Sequence, residues 1–363
     1  MTTIQDVARQ AAVSVSTVSN VLNGRANRMR PDTLARVEAA IQSLQFRPSK
    51  LAQQLKTGQT PLIGLLVPSM TNPIYGHIAR EIETVAQEKF GYRLLIGSTY
   101  RDHAKESAFV EDLLSHGVRR VIVISSLADE RHFESAAARG MAVVSYDRGP
   151  TPGKRSHVGH VTPDNFAAAQ MATRHLIENG HRQLAFATVA GMTMSRRAKI
   201  DGFHAAADAA GLRGGALVLD GGPLNEYGDS LIAEVGRATA LRIAKAARRP
   251  TGIVALNDLM ALGLLAGLRE AGLRVPRDIS VVGIDGHFMA ALSNPMLTTV
   301  QLPMPEMAQA MVDRVMNPHT EPDKDPRQTI FAPSQLIERE SVASPPVAAG
   351  ARAVKQKSTK AGT

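Results

Sequence analysis

The chain has 363 residues, 44% of them hydrophobic, and no cysteine; it is long enough for two or more structural units, and disulfides, thiolate metal sites and cysteine nucleophiles are excluded. Its net charge of +9 lies at the two ends: residues 1–60 carry eight bases against three acids, residues 343–363 carry four bases and no acid, and the stretch between them balances. Basic ends on a neutral body point to a polyanion held by the ends, against the plainer reading of a solvated surface.

The N-terminus, MTTIQDVARQ, has no basic segment followed by an apolar one, and no later run is apolar and long enough to span a bilayer. A cytoplasmic protein without membrane contact is expected. Thr3 is placed to cap a first helix with Asp6 in its first turn, where negative charge suits the positive end of the dipole. The next stretch, VSVSTVSNVLNG over 13–24, alternates like a strand at its start yet spaces Val18, Val21 and Leu22 as a helix does. No partner strand lies nearby, so the helix is favoured, capped by Ser14 and ended by Asn23-Gly24. Pro31 opens a third helix with Leu34, Val37, Ile41 and Leu44 on one face.

Two short helices joined by a tight turn and braced by a third make an all-α helix-turn-helix headpiece over residues 1–47. With Val18, Val21 and Leu22 inward, Val15, Ser16, Ser19 and Asn20 face outward, and Thr17 lies near the first turn. Hydroxyls and an amide beside free backbone N–H groups suit phosphate oxygens and base edges. Capping and solvation of a small bundle would account for the same residues.

A linker, residues 48–60, follows. From Leu62 short β-rich runs, LIGLLV (62–67), RLLIG (93–97), RVIVIS (120–125) and AVVSY (142–146), alternate with helical patterns over 75–90 and 103–116. The texture resumes with QLAFATV (183–189), GIVAL (252–256) and ISVVGI (279–284). This alternation predicts βαβ units and doubly wound parallel sheets, and two lobes fill residues 61–342 better than one large sheet. Residues 343–363 have almost nothing to bury and are expected to form a basic, disordered tail.

IQDVARQAAVSVSTVSNVLNG, followed by RPDTLARVEAAIQSLQFRPSKLAQQL, resembles the DNA-binding headpiece and hinge of the lactose-repressor (LacI) family of bacterial transcription regulators. The likeness continues, in the family's order, through LIGLLVPSMTNPIY, VVSYDRG, HLIENGHRQLAF, ALNDLMALGLLAGLREAGLRVPRDISVVGIDG and LTTVQLP, to about Val342. The resemblance implies a homodimer on palindromic operator DNA, usually as a repressor, with a periplasmic-binding-protein-like core of two α/β lobes that holds a small effector between them.

It also implies roles for single residues. Val15, Ser16 and Asn20 match the positions that read bases; Thr3, Ser14, Thr17, Ser19 and Asn23 match those that hold phosphates. At Asn20 the family usually carries an Arg for guanine, whereas Asn suits the N6/N7 edge of adenine. Arg30, before Pro31, stands where a Ser cap is usual and can trade capping for a phosphate contact. Residues 49–55 resemble the hinge helix, with Leu55 wedged into the minor groove, supported by Ala52 and by Gln53 or Gln54.

In the body, the resemblance places Asn72, Ile74, Tyr75, Asp147, Arg148, Asn257 and Asp285 at an effector cleft suited to a sugar or sugar derivative. Asp258 reads more simply as a helix cap. Lys199 replaces the family's usual effector-clamping Arg, and with Arg197 it would suit a phosphorylated or acidic sugar, although such side chains also serve as plain surface. An α/β enzyme is a rival reading, yet G-x-G-x-x-G, P-loop, G-x-S-x-G and H-E-x-x-H patterns are all missing from the sequence, so neither catalysis nor a metal or cofactor is expected. A soluble sugar-binding protein is the other rival, and would have no use for a basic headpiece.

Overall fold

A computed structural model describes residues 2–22, 24–26, 29–46, 60–125, 127, 129–146, 156–191, 193–222, 231–318, 328–333 and 335–346. The chain divides into two units, Met1–Thr60 and Pro61–Thr363.

In the first unit α1 (Ile4–Gln10), α2 (Val15–Leu22) and α3 (Pro31–Ser43) close on Val7, Val18 and Val37, which are fully buried. The Thr3 hydroxyl accepts from the Asp6 N–H at 3.3 Å while the Asp6 carboxylate accepts from the Thr3 N–H at 2.9 Å. Each group satisfies a donor that the helix start leaves open. Ala12, at φ 51°, turns the chain sharply from α1 towards α2, and Ser14 Oγ then accepts from the Thr17 N–H at 3.2 Å. The strand-like alternation of VSVS thus straddles a turn and a helix start. Arg30 precedes Pro31 in extended conformation and caps α3 with no side-chain bond.

The second unit contains two sheets. β1 (Leu62–Val67), β2 (Arg93–Ser98), β3 (Arg120–Ile124), β4 (Ala142–Tyr146), β5 (Gly159–Pro163) and β11 (Gln328–Phe331) form the first, all parallel, in the order β11-β5-β4-β3-β1-β2. β6 (Leu184–Thr188), β7 (Ala216–Asp220), β8 (Gly252–Ala255), β9 (Ser280–Asp285), β10 (Thr298–Gln301) and β12 (Gln335–Ile337) form the second in the order β12-β10-β9-β8-β6-β7, with β12 alone antiparallel. Neighbours such as Leu65 and Leu66 in β1 are both fully buried, which requires cover on both faces of the sheet. That cover comes from α4 (Pro73–Phe90), α5 (His103–Ser115), α6 (Arg131–Ala138) and α11 (Met304–Met316) on the first sheet, and from α7 (Asn165–Glu178), α8 (Met194–Ala209), α9 (Ile232–Lys245) and α10 (Asp258–Glu270) on the second.

These are the two doubly wound lobes that the alternating pattern predicts. Their wiring is less simple than that pattern. The chain passes from the first lobe to the second between β5 and α7, returns between β10 and α11, and crosses again between β11 and β12. β5, β7, β10, β11 and β12 were not singled out from the sequence.

Candidate functional site

On the headpiece, Val18 is buried against α1 and α3 while Val15, Ser16 and Asn20 are exposed along one side of α2. A Val 42% exposed on a short helix is a costly solvent face and a suitable groove contact. Ser14 Oγ lies 2.9 Å from Thr17 Oγ1, so these hydroxyls share the start of α2 with its unbonded N–H groups. Thr17 and Ser19 are half-buried. The Thr3 hydroxyl donates to Asp6 at 2.7 Å, and bonds from Thr3 hold the Asp6 carboxyl below its usual range. That hydroxyl is therefore committed to capping α1 before any phosphate approaches. Asn23, Ala52, Gln53, Gln54 and Leu55 lie outside the described residues.

Within the body, a solvent-open cleft, about 570 Å³ of empty space in all, lies where strands of both sheets end. From the first lobe come Asn72, Ile74 and Tyr75 after β1, Arg101 after β2, and Tyr146 at the end of β4. The second lobe supplies Thr193, Ser195, Arg196 and Lys199 after β6, Asn257 after β8, and Asp285 at the end of β9. Pro163, Asn165 and Leu302 belong to two of the lobe crossings. Binding at the carboxyl ends of strands is what doubly wound sheets favour.

Local chemistry fixes these positions. Asn72, Thr193 and Asn257 are N-caps, accepting from the N–H groups of Ile74, Arg196 and Met260 at 3.3, 3.3 and 2.9 Å. Three helices thereby point their N-termini at the cavity. Lys199 is buried and donates from Nζ to the Leu256 carbonyl at 3.1 Å. Arg196 is buried too, its Nη1 donating to the Ala190 and Gly191 carbonyls at 3.1 and 2.6 Å. Arg101 donates to the Tyr75 hydroxyl at 3.2 Å.

Asn72, Ile74, Tyr75, Lys199, Asn257 and Asp285 thus come together as the sequence suggested, whereas Asp147 and Arg148 lie outside the described residues. Arg197 is a correction: it is exposed and does not line the cavity. A helix turns about 100° per residue, so positions 196 and 199 share a face and 197 looks away from it. Arg196 is the second cation. Arg101, Asn165, Thr193 and Ser195 were missed as well, although each directly follows a strand or starts a helix.

Asp258 lies behind the cavity. Asn257 provides the cap, and the fully buried Asp258 carboxylate instead accepts from the Thr299 hydroxyl at 2.5 Å and the His287 N–H at 2.7 Å. Burial pushes its pKa up to about 6 despite those bonds and the nearby Arg339 and Lys199. His287 stands edge-on to His77 of the other lobe, ring centres 6.2 Å apart. Burial lowers the pKa of both imidazoles. Asp285, two residues before His287, has φ 138°, a conformation that non-glycine residues rarely take. Among the described residues no three His, Asp or Glu side chains gather as metal ligands.

Residues 3–49 match the family model described as "Bacterial regulatory proteins, lacI family", and residues 173–342 match "Periplasmic binding protein-like domain". The chain is 32% identical over 346 residues to the ribose operon repressor of Escherichia coli, covering 94% of this chain and all of that one. It is 34% identical over 351 residues to an uncharacterized HTH-type transcriptional regulator of Streptomyces limosus, covering 94% of each. Among solved structures, the lac repressor dimer bound to operator and an anti-inducer matches with a TM-score of 0.80 at 25% identity, over 94% of this chain and 99% of that one. A regulator from Enterococcus faecium with bound ribose matches with a TM-score of 0.67 at 25% identity, over 78% and 99%.

Proposed function

Since the chain belongs to the LacI family of bacterial regulators, we propose that it is a dimeric, sequence-specific repressor whose hold on a palindromic operator is set by a sugar-like effector bound between its lobes. One observation carries this reading: a single chain joins a helix-turn-helix unit with an exposed hydroxyl-and-amide face to a polar cleft bordered by both lobes. Val15, Ser16 and Asn20 read base edges from α2, while Ser14, Thr17, Ser19 and Asn23 hold phosphates. Thr3 joins them only by giving up its bond to Asp6. Residues 49–55, with Ala52 and Leu55, form the minor-groove hinge.

In the body, Asn72, Ile74, Tyr75, Asp147, Arg148, Lys199, Asn257 and Asp285 contact the effector, with Arg196 in the place expected of Arg197. Closing the lobes on a ligand alters the spacing of two headpieces, and a hinge too short to be a stable helix alone converts spacing into DNA affinity. The relatives are transcriptional regulators, and the protein works by binding rather than catalysis. No described helix is long and apolar enough to cross a membrane; the DNA-binding role assigns the protein to the cytoplasm.

The test is selection of bound genomic fragments by the full chain, followed by binding to the recovered palindrome at several salt concentrations. Affinity should fall steeply with salt, and deleting residues 1–60 should abolish DNA binding while preserving ligand-induced stabilisation of the body. Equal binding to palindromic and scrambled DNA would refute the reading.

A further inference from the structure

We propose that Val15 reads the 5-methyl group of thymine, so that the base pairs α2 reads in each half-site are A·T pairs. The inference rests on the reading of α2 as the helix that enters the major groove. Among the described residues of the headpiece, Val15 is the one large apolar side chain that stands exposed. It is no part of the core that Val7, Val18 and Val37 close, although Val13, Val21 and Leu22 on either side of it pack there. A lone exposed valine needs no explanation by itself; its neighbours on the helix supply one.

Val15 is the first residue of α2, and the N-terminal residues of the second helix of a helix-turn-helix unit are the ones that meet base edges. Ser16 and Asn20 are exposed on the same helix. The sequence of α2, VSTVSNVL, has no charged residue. The side chains that favour G·C pairs in the major groove, a guanidinium or ammonium for guanine and a carboxylate for cytosine, are therefore absent from it. What remains on the exposed side is an amide, whose paired donor and acceptor match adenine, a hydroxyl, which bonds to either pair, and the two methyls of Val15. The apolar feature of the major-groove code is the thymine methyl, and it is the group that two methyls can recognise.

Five residues along a helix rise about 7.5 Å, roughly two base-pair steps of about 3.4 Å each. Val15 and Asn20 therefore address different base pairs rather than two edges of one. A methyl contact removes apolar surface from water and displaces no counterion, so Val15 contributes sequence preference without salt dependence.

The experiment binds the full-length protein to the palindrome it selects from random-sequence DNA. Each thymine is then replaced in turn, symmetrically in both half-sites, by deoxyuridine, which keeps every hydrogen-bonding group and lacks only the methyl. At one thymine position the replacement should weaken binding about fourfold per half-site, the value of one buried methyl. Val15→Ser should erase that difference, whereas Val15→Thr, which keeps one methyl, should retain it. Both variants should melt with the parent protein, because Val15 lies outside the core. The slope of log affinity against log salt should be the same in all three proteins, since no phosphate contact changes. A palindrome indifferent to every deoxyuridine, or a deoxyuridine effect that survives in Val15→Ser, would overturn the inference and leave the operator reading standing. Selection of no common palindrome would overturn both.

Discussion

At position 20 an amide stands exposed on α2, where a guanidinium would read guanine. An Asn can pair bidentately with adenine, and a good pair of this kind discriminates by about 1–3 kcal/mol. Asn20→Arg should therefore move the preferred base at one symmetric position of each half-site from adenine to guanine, as read in a binding selection; an unchanged consensus would count against Asn20 as a reader. Asp258 gives a second prediction. Its carboxyl titrates near 6 in the folded chain against 3.8 for a free group. The folded state therefore binds this proton more tightly than the unfolded state, and the carboxyl's contribution to stability falls as pH rises from about 4 to 6 and is level beyond. The Thr299 hydroxyl opposes that trend by bonding the charged form. Thr299→Val should cost about 1–3 kcal/mol at pH 7.5, and distinctly less at pH 5, where the carboxyl is mostly protonated; urea denaturation at the two pH values measures the difference.

Among the elements, α9 and α10 meet backbone to backbone, because a Cβ on Gly263 would lie 1.9 Å from the Ala233 carbonyl oxygen. Gly76, exposed in α4, would meet nothing within 4 Å. Gly263→Ala should destabilise the body by about 3 kcal/mol or more through forced separation, whereas Gly76→Ala should stabilise it by about 0.5–1 kcal/mol through helix propensity; paired melting curves check both signs. The same contrast explains what could be read from sequence. Periodicity exposed α1 to α3 and the central strands, whose apolar runs are continuous because both faces are covered. It passed over β5, where Gly159 and Pro163 bound a run of only five residues, and β11 and β12, whose four and three residues give no period to read. Within α8 the segment and Lys199 were legible, but Arg197 was paired with it although Arg196, three residues before Lys199, is the one on the same face.

For the whole molecule, the charge division has a use. A neutral body does not compete for DNA, so binding can depend on the basic headpiece and on how two copies present it. Phe288 and Leu292 stand 67% and 76% exposed in and beside the short turn after β9, an apolar pair on which a second copy is expected to pack, and the related lac repressor was solved as a dimer on its operator. Replacing both with Asp should leave the ligand cleft working, convert the protein to monomers in sedimentation, and weaken palindrome binding at least a hundredfold, because each half-site would then be held alone. A stable dimer in that variant would place the interface elsewhere.

The three lobe crossings bear on synthesis. β11 and β12 are edge strands of different sheets, yet they lie within ten residues of each other near the end of the chain. Neither sheet can be completed until its own late edge strand has left the ribosome, whereas the headpiece, a separate unit of helices from the first sixty residues, needs nothing that comes later. Termination before β11 would leave a folded headpiece attached to an unfinished body, so nascent chains should resist protease at the headpiece long before any part of the body does.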